Sequence, residues 1–190
     1  MWKIFKLLLL QFAWQCLQAA DYAIIGDDQT FFQACDAHDD GGTTNLKELV
    51  EFNMINEYAD DMETIITNGN VTILVDIDPQ VPISLEVEIY KWERGTWVDS
   101  IFSIRRPNFC ATAFSPKEFW YPFIKQFPEE NRVCPPKKGH VYQFKDIKNR
   151  MDFFNVTMSH DYSGKYKAII YFIVDQYSLC LSSVVDVWSS

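Results

Sequence analysis

The first candidate for chemistry is a short acidic stretch, "DAHDD", which contains Asp36, His38, Asp39 and Asp40. Carboxylate and imidazole groups of this kind are ligands for divalent metals. The same composition is also typical of a solvated acidic loop, here beside Cys35, and that interpretation explains the stretch with fewer assumptions. We therefore predict no metal site.

A second candidate is "SHDYSG", in which Ser159, His160 and Asp161 follow one another. These are the residue types of a hydrolase triad, but a triad needs side chains that converge in space, and neighbours on a strand or turn point apart. The sequence has only three histidines and lacks the GxSxG, HExxH and glycine-rich phosphate motifs. We predict a non-enzymatic protein without a cofactor. An extracellular hydrolase is the alternative, and it would need a Ser or Asp that converges on His160.

The most unusual segment is aromatic rather than catalytic: "FSPKEFWYPFIKQFPEENRVCPP", residues 114–136. Six aromatic side chains fall within fourteen residues, namely Phe114, Phe119, Trp120, Tyr121, Phe123 and Phe127. Either these residues are ordinary core, or they face a ligand that is not protein. Long apolar connections in compact domains are usually functional, which favours the second interpretation.

This segment also carries the only good helix signal in the chain. Ser115 can be the N-cap, Pro116 the first helical residue and Glu118 the partner in a capping box. Pro122 lacks the N–H that a longer helix needs, so it should kink or end the helix. We predict one or two helical turns inside a loop.

The rest of the chain alternates with a period of two, which indicates β-strands with one buried face. In "VTILVDI" and "ISLEVEI" the apolar residues share one parity: Val71, Ile73, Val75 and Ile77, then Ile83, Leu85, Val87 and Ile89. Similar runs are "WVDSIFSI", "VYQF", "FFNVTMS", "KYKAIIYFIV" and "SLCLSSVVDV", with turn residues between them. The pattern predicts an all-β antiparallel sandwich or cup of about seven to nine strands, with a short helix between Cys110 and Cys134.

Residues 1–20 have the layout of a secretory signal peptide: Lys3 and Lys6, an apolar run, then small residues. We predict a secreted, extracellular protein whose single domain spans residues 21–190. The apolar run is short for a bilayer span, so no stable membrane anchor is expected.

Charge limits the partners. The formal net charge is −9, and it becomes −11 without Lys3 and Lys6, the only charged residues among the first twenty. Such an acidic protein should avoid nucleic acid and anionic membrane surfaces.

Four cysteines follow the predicted signal peptide: Cys35, Cys110, Cys134 and Cys180. In a secreted chain this number predicts two disulfides, and three connectivities are possible. The chain has no CxxC spacing that would indicate a zinc or redox site.

Two sequons, at Asn70 and Asn155, predict glycosylation. In each, the asparagine has the parity opposite to its apolar neighbours, such as Val71 and Phe154. Both glycans would therefore point to solvent if the apolar faces point inward.

Several longer stretches resemble a known family. "GNVTILVDIDPQVPISLEVEIYKWERGTWVDS", "CPPKKGHVYQFKDI", "YSGKYKAIIYFI" and "LCLSSV" occur in the order seen in the lysosomal ganglioside activator protein. They look still closer to its insect relatives, the secreted CheA and CheB chemosensory proteins. The resemblance covers roughly residues 28–188.

The resemblance implies a β-cup whose two splayed sheets enclose an apolar cavity, with a mobile, helix-bearing loop at the rim. It implies a carrier or presenter of a lipid or long-chain hydrocarbon in contact-pheromone or gustatory perception, with a membrane receptor or channel as a further partner. The activator's own role, presenting a glycolipid to a hydrolase, is the first alternative. A secreted structural or signalling β-domain with a filled interior is the second. This chain has fewer cysteines than the activator, so its rim loop is less cross-linked.

We predict the disulfides Cys35–Cys180, which would join the N-terminal and C-terminal strands, and Cys110–Cys134, which would close the aromatic segment. The predicted cavity floor consists of Ile83, Leu85, Val87, Ile89, Ile170 and Phe172. The predicted lip consists of Phe119, Trp120, Phe123 and Phe127, with Phe114 beside it.

Overall fold

A computed structural model describes residues 18–27, 33–36, 45–61, 64–158 and 162–189. These residues form ten strands: β1 (Gln18–Gly26), β2 (Gln33–Ala34), β3 (Val50–Tyr58), β4 (Ile65–Ile73), β5 (Ser84–Glu93), β6 (Thr96–Arg106), β7 (Val141–Lys148), β8 (Arg150–Met158), β9 (Gly164–Val174) and β10 (Tyr177–Ser189). Two one-turn helices, α1 (Leu46–Leu49) and α2 (Tyr121–Ile124), and two 3-10 turns, Phe109–Ala111 and Glu129–Asn131, complete the elements.

The strands form two antiparallel sheets. The large sheet has the order β6-β5-β9-β10-β1-β8, with β2 paired to β10, and the small sheet has the order β3-β4-β7. Only Asn149 separates β7 from β8, so the chain passes there from the small sheet to the large one. The predicted all-β sandwich with a short helix between Cys110 and Cys134 is confirmed.

The alternation in the sequence fixes which residues share a face. The pairing of β9 with β10 runs without a break from Val174–Tyr177 to Gly164–Val187. Leu179 therefore lies opposite Phe172, and Leu181 opposite Ile170, on one face of the large sheet. β5 extends this face, because Leu85 pairs with Phe172 and Val87 with Ile170.

Three strands were not predicted: β1, β2 and β3. In β3 the alternation typical of a strand is present over residues 51–54, and the structure follows it: Phe52 and Met54 are half-buried, whereas Glu51, Asn53 and Ile55 are exposed. Residues 1–17 of the predicted signal peptide lie outside the described residues, and residues 18–20 begin β1. Removal of residues 1–20 would keep the pairing of Tyr22–Gly26 with β10.

The two sequons lie on strands, and one of them corrects the predicted parity. Asn70 on β4 follows the prediction, because Val71 beside it is buried. Asn155 is exposed as predicted, but so is Phe154, at 71%. The reason is a β-bulge: β8 inserts one extra residue between its pairs with Tyr22 and Ala20, and Asn155 takes a positive φ of 55°.

The helix also differs from its prediction. It begins after Trp120 rather than at Ser115, and Pro122 lies in its first turn, where a missing N–H costs nothing. Glu118 forms no capping box because its carboxylate binds the Arg106 guanidinium instead. Ser115 only closes a turn, by accepting the N–H of Lys117 on its hydroxyl oxygen at 3.3 Å.

Candidate ligand-binding cavity

Both predicted disulfides are present. Cys35 pairs with Cys180 and Cys110 pairs with Cys134, with Cα–Cα distances of 5.5 and 5.2 Å. The first joins the segment around β2 to β10. The second closes residues 110–134, so the aromatic loop (residues 107–140, between β6 and β7) is held at its base.

The aromatic loop protects the outer edge of the small sheet. β7 ends this sheet, and such an edge would otherwise expose unpaired backbone groups. The Asn131 side chain donates to the Gln143 carbonyl at 2.8 Å and accepts from the Gln143 N–H at 3.2 Å. Gln126 makes the same reciprocal pair with the backbone of Lys148, at 3.0 and 2.8 Å. Loop side chains thus take the place of a neighbouring strand.

The other side of the loop is fixed to the large sheet. The Phe109 N–H donates to the Ile83 carbonyl at 2.8 Å, and the Phe109 ring lies 5.3 Å from that of Phe172. Trp120 packs on Phe109 at 5.7 Å, and its indole N–H donates to the Ala113 carbonyl at 2.9 Å. The loop therefore bridges the two sheets and forms a third wall between them.

These three walls enclose an apolar cavity of about 340 Å³. This volume lies within the usual range for small-molecule sites, roughly 300–1,000 Å³. The small sheet contributes Val50, Phe52, Met54, Val71, Ile73, Tyr142 and Phe144, and the large sheet contributes Phe172, Val174, Tyr177, Leu179 and Leu181. The connections add Leu49, Val75, Ile77 and Ile83, and the aromatic loop adds Phe109, Ala113, Phe114, Phe123, Ile124, Phe127 and the stretch 131–134 with Pro136.

Three polar side chains on this wall, those of Asn131, Arg132 and Tyr142, already have partners. Arg132 is the one charged residue among the described lining residues, and its guanidinium donates to the carbonyls of Phe127 and Lys125 at 2.9 and 3.0 Å. The Tyr142 hydroxyl donates to the Val133 carbonyl at 2.6 Å, and burial raises the pKa of Tyr142 to about 12. The wall therefore offers a ligand mainly apolar contact, which favours hydrocarbon over charged or sugar-like groups.

The predicted site residues divide into two groups. Five of them line the cavity: Ile83, Phe114, Phe123, Phe127 and Phe172. The other six are outside its wall: Leu85, Val87, Ile89, Phe119, Trp120 and Ile170. Leu85 and Val87 are buried at 4% and 8% exposure in the same face of the large sheet, and Phe119 is 42% exposed.

Most of the wall was not predicted as a site. The strand parity of Val71, Ile73, Tyr142, Phe144 and Leu179 was visible in the sequence as an inward face. The sequence did not show which part of this inward face borders an open space and which part, such as Leu85 and Val87, is fully packed. The β3 residues Phe52 and Met54 were missed along with their strand.

The described residues give no support for a catalytic or metal centre. They contain no group of three or more His, Cys, Asp or Glu side chains that could hold a metal. Both chemical candidates fall mostly outside the described ranges, which lack residues 37–40 of the acidic stretch and the residues Ser159, His160 and Asp161. Among the described residues, no helix has the length and apolar character needed to cross a bilayer.

Comparison with known proteins finds similarity among solved structures. No protein-family model and no curated protein matches the chain. Among solved structures, the chain is similar to a Niemann-Pick type C2 protein from the Japanese carpenter ant, with 16% identity and a TM-score of 0.34. The match covers 80% of this chain and 96% of that one. At this identity and TM-score the similarity says nothing about what the chain binds.

Proposed function

We propose that this protein is a secreted, non-enzymatic carrier or presenter of a lipid or long-chain hydrocarbon. The observation that carries the proposal is the apolar cavity between the two sheets, in which facing side chains such as Phe52 and Leu179 leave about 340 Å³ unfilled. A structural β-domain would fill this space, because protein cores pack at crystal-like density.

Energetics favour an extended apolar ligand. Each methylene group that leaves water contributes about 0.8 kcal/mol, so a chain of several carbons binds measurably even without a polar contact. The aromatic loop supplies a part of the wall that the strands do not supply, since Phe114, Phe123 and Phe127 line the cavity and belong to no strand.

The biological setting of the proposal rests on the resemblance to the insect chemosensory proteins. In that setting the ligand would be a contact pheromone or tastant, and the acceptor a membrane receptor or channel. The two disulfides and the predicted signal peptide support an extracellular location. Glycosylation at Asn70 and Asn155 belongs to the same proposal.

The test is native mass spectrometry of the protein secreted from its own cells, which should show a co-purifying lipid or hydrocarbon. Leu179→Trp should abolish this ligand by filling the cavity. Ile173→Trp is the matched control, because Ile173 is 38% exposed and absent from the cavity wall. Equal ligand content in both variants, or no ligand in the unaltered protein together with no binding of added hydrocarbon, would refute the carrier function.

A further inference from the structure

A second concavity, of about 470 Å³, lies at the ends of β1, β3, β8 and β10. It shares no lining residue with the apolar cavity. Its composition also differs, because three charged and two aromatic side chains are among its lining residues: Asp27, Arg150, Asp186, Tyr58 and Trp188. We call it the β1–β10 cleft.

Two aromatic side chains in the cleft are unusually exposed. Trp188 is 62% exposed and Tyr58 is 50% exposed. Trp188 pairs across the strands with Ala23, whose small side chain leaves the indole uncovered on that side. An indole face carries partial negative charge, and it attracts ammonium groups more strongly than the other aromatic rings do.

The cleft also has a carboxylate available for a ligand. Asp186 lies on the same face as Trp188, two residues before it on β10, and it has no ion pair or side-chain hydrogen bond within the described part of the chain. The nearby cations are engaged elsewhere. Lys165, opposite Asp186 on β9, has its ammonium group 3.5 Å from Asp27. Arg150 donates to Asp152 at 2.9 Å.

We propose that the β1–β10 cleft binds a small organic cation, a primary or quaternary ammonium group. The ammonium group contacts the indole of Trp188 and is balanced by the carboxylate of Asp186. Among the residues that line the cleft, the two carboxylates of Asp27 and Asp186 outnumber the one cation, Arg150. The field therefore favours a positive ligand and disfavours an anionic one. This site is independent of the apolar cavity and of the carrier function.

The probe is tetramethylammonium, which is too polar for the apolar cavity, with tert-butanol as the neutral molecule of similar shape. Binding is followed through the indole N–H signal of Trp188 in ¹⁵N NMR spectra of the full protein. We expect saturable binding of the cation and none of the alcohol. Trp188→Leu should weaken binding about 2- to 5-fold, the range of cation–π interactions at exposed sites, and Trp188→Phe should restore part of it. For the variants, calorimetry replaces the indole signal.

Asp186→Asn should weaken binding about fivefold, as expected for loss of a partly exposed charge pair. Trp92→Leu and Asp99→Asn are matched controls, since Trp92 is 44% exposed and both residues are outside the cleft. Leu179→Trp, which fills the apolar cavity, should leave binding of the cation unchanged. Equal binding of the alcohol, or equal losses in Trp188→Leu and Trp92→Leu, would overturn the proposal.

Discussion

The guanidinium of Arg106 and the carboxylate of Glu118 form a two-point ion pair, with Nε–Oε1 at 3.0 Å and Nη2–Oε2 at 2.8 Å. Arg106 is the last residue of β6 and Glu118 lies in the aromatic loop, so this pair ties the loop to the large sheet. The hydrogen bonds that Arg106 donates to Glu118 raise the pKa of Arg106, and the guanidinium also lies 5.7 Å from the Trp120 ring. Arg106 thus contacts both the charged and the aromatic part of the loop.

Glu118→Gln should loosen the loop without unfolding the sandwich. We expect the free energy of unfolding to fall by only about 1 kcal/mol, because Arg106 is partly exposed and water screens the pair. Release of a bound fluorescent hydrocarbon probe, measured by stopped-flow displacement, should become faster. Glu86→Gln is the control, since the Glu86–Arg105 pair joins β5 to β6 and does not contact the loop. Equal release rates in the two variants would mean that the pair does not hold the loop.

Trp120 and Phe123 should respond differently to truncation, although both lie in the same aromatic segment. Trp120→Ala removes the hydrogen bond to Ala113 and the packing on Phe109, so it should cost about 2 kcal/mol of stability. Phe123→Ala removes part of the cavity wall, so it should weaken binding of an apolar probe about tenfold with a smaller loss of stability. Phe154→Ala is the control for both, because Phe154 is exposed on β8 and outside the wall. Unchanged probe affinity in Phe123→Ala would place the ligand elsewhere.

Stability should fall in alkaline solution because of Tyr142. Its pKa is about 12 in the folded protein and about 10 in an unfolded chain, so the folded state retains the proton between these values. The unfolded state therefore binds fewer protons, and the free energy of unfolding should fall by about 1.4 kcal/mol per pH unit from pH 10 to pH 12. Below pH 10 this contribution is constant.

Urea unfolding at pH 9, 10 and 11 measures this slope, and Tyr142→Phe should reduce it. Tyr90→Phe is a useful second background, because the hydrogen bond from the Tyr90 hydroxyl to Glu88 raises the pKa of Tyr90 to about 12 as well. If the slope of unfolding free energy against pH is unchanged in the double variant that combines Tyr142→Phe with Tyr90→Phe, the alkaline sensitivity belongs to other groups.

Gly69 should tolerate no side chain. It has a φ of +130°, and a Cβ at this position would overlap the carbonyl oxygen of Asn53 on β3. Gly69→Ala should therefore destabilise the protein by about 3 kcal/mol or prevent folding. Gly95→Ala separates the two causes: Gly95 also has a positive φ, +86°, but nothing lies within 4 Å of its Cβ, so only about 1 kcal/mol is expected. Thermal unfolding of both variants measures the difference.

The sequence by itself determined the sandwich and the position of the aromatic loop. It left three connectivities open for the four cysteines, and the structure shows which one forms. The physical reason is that strand alternation is local: Leu85 and Val87 are buried, as their parity predicts, whatever lies across from them. Only the tertiary structure decided which inward residues meet a cavity. Leu85 and Phe172 are paired neighbours on one face, yet only Phe172 lines the cavity, to whose wall the aromatic loop also contributes. Likewise, local rules place the start of the helix at Ser115. In the structure Glu118 binds Arg106 at the end of β6 instead of capping a helix, and the helix begins at Tyr121. The carboxylate of Glu118 can either cap a helix or pair with Arg106, and the choice depends on the distance between Glu118 and Arg106 in the folded protein, which the sequence does not give.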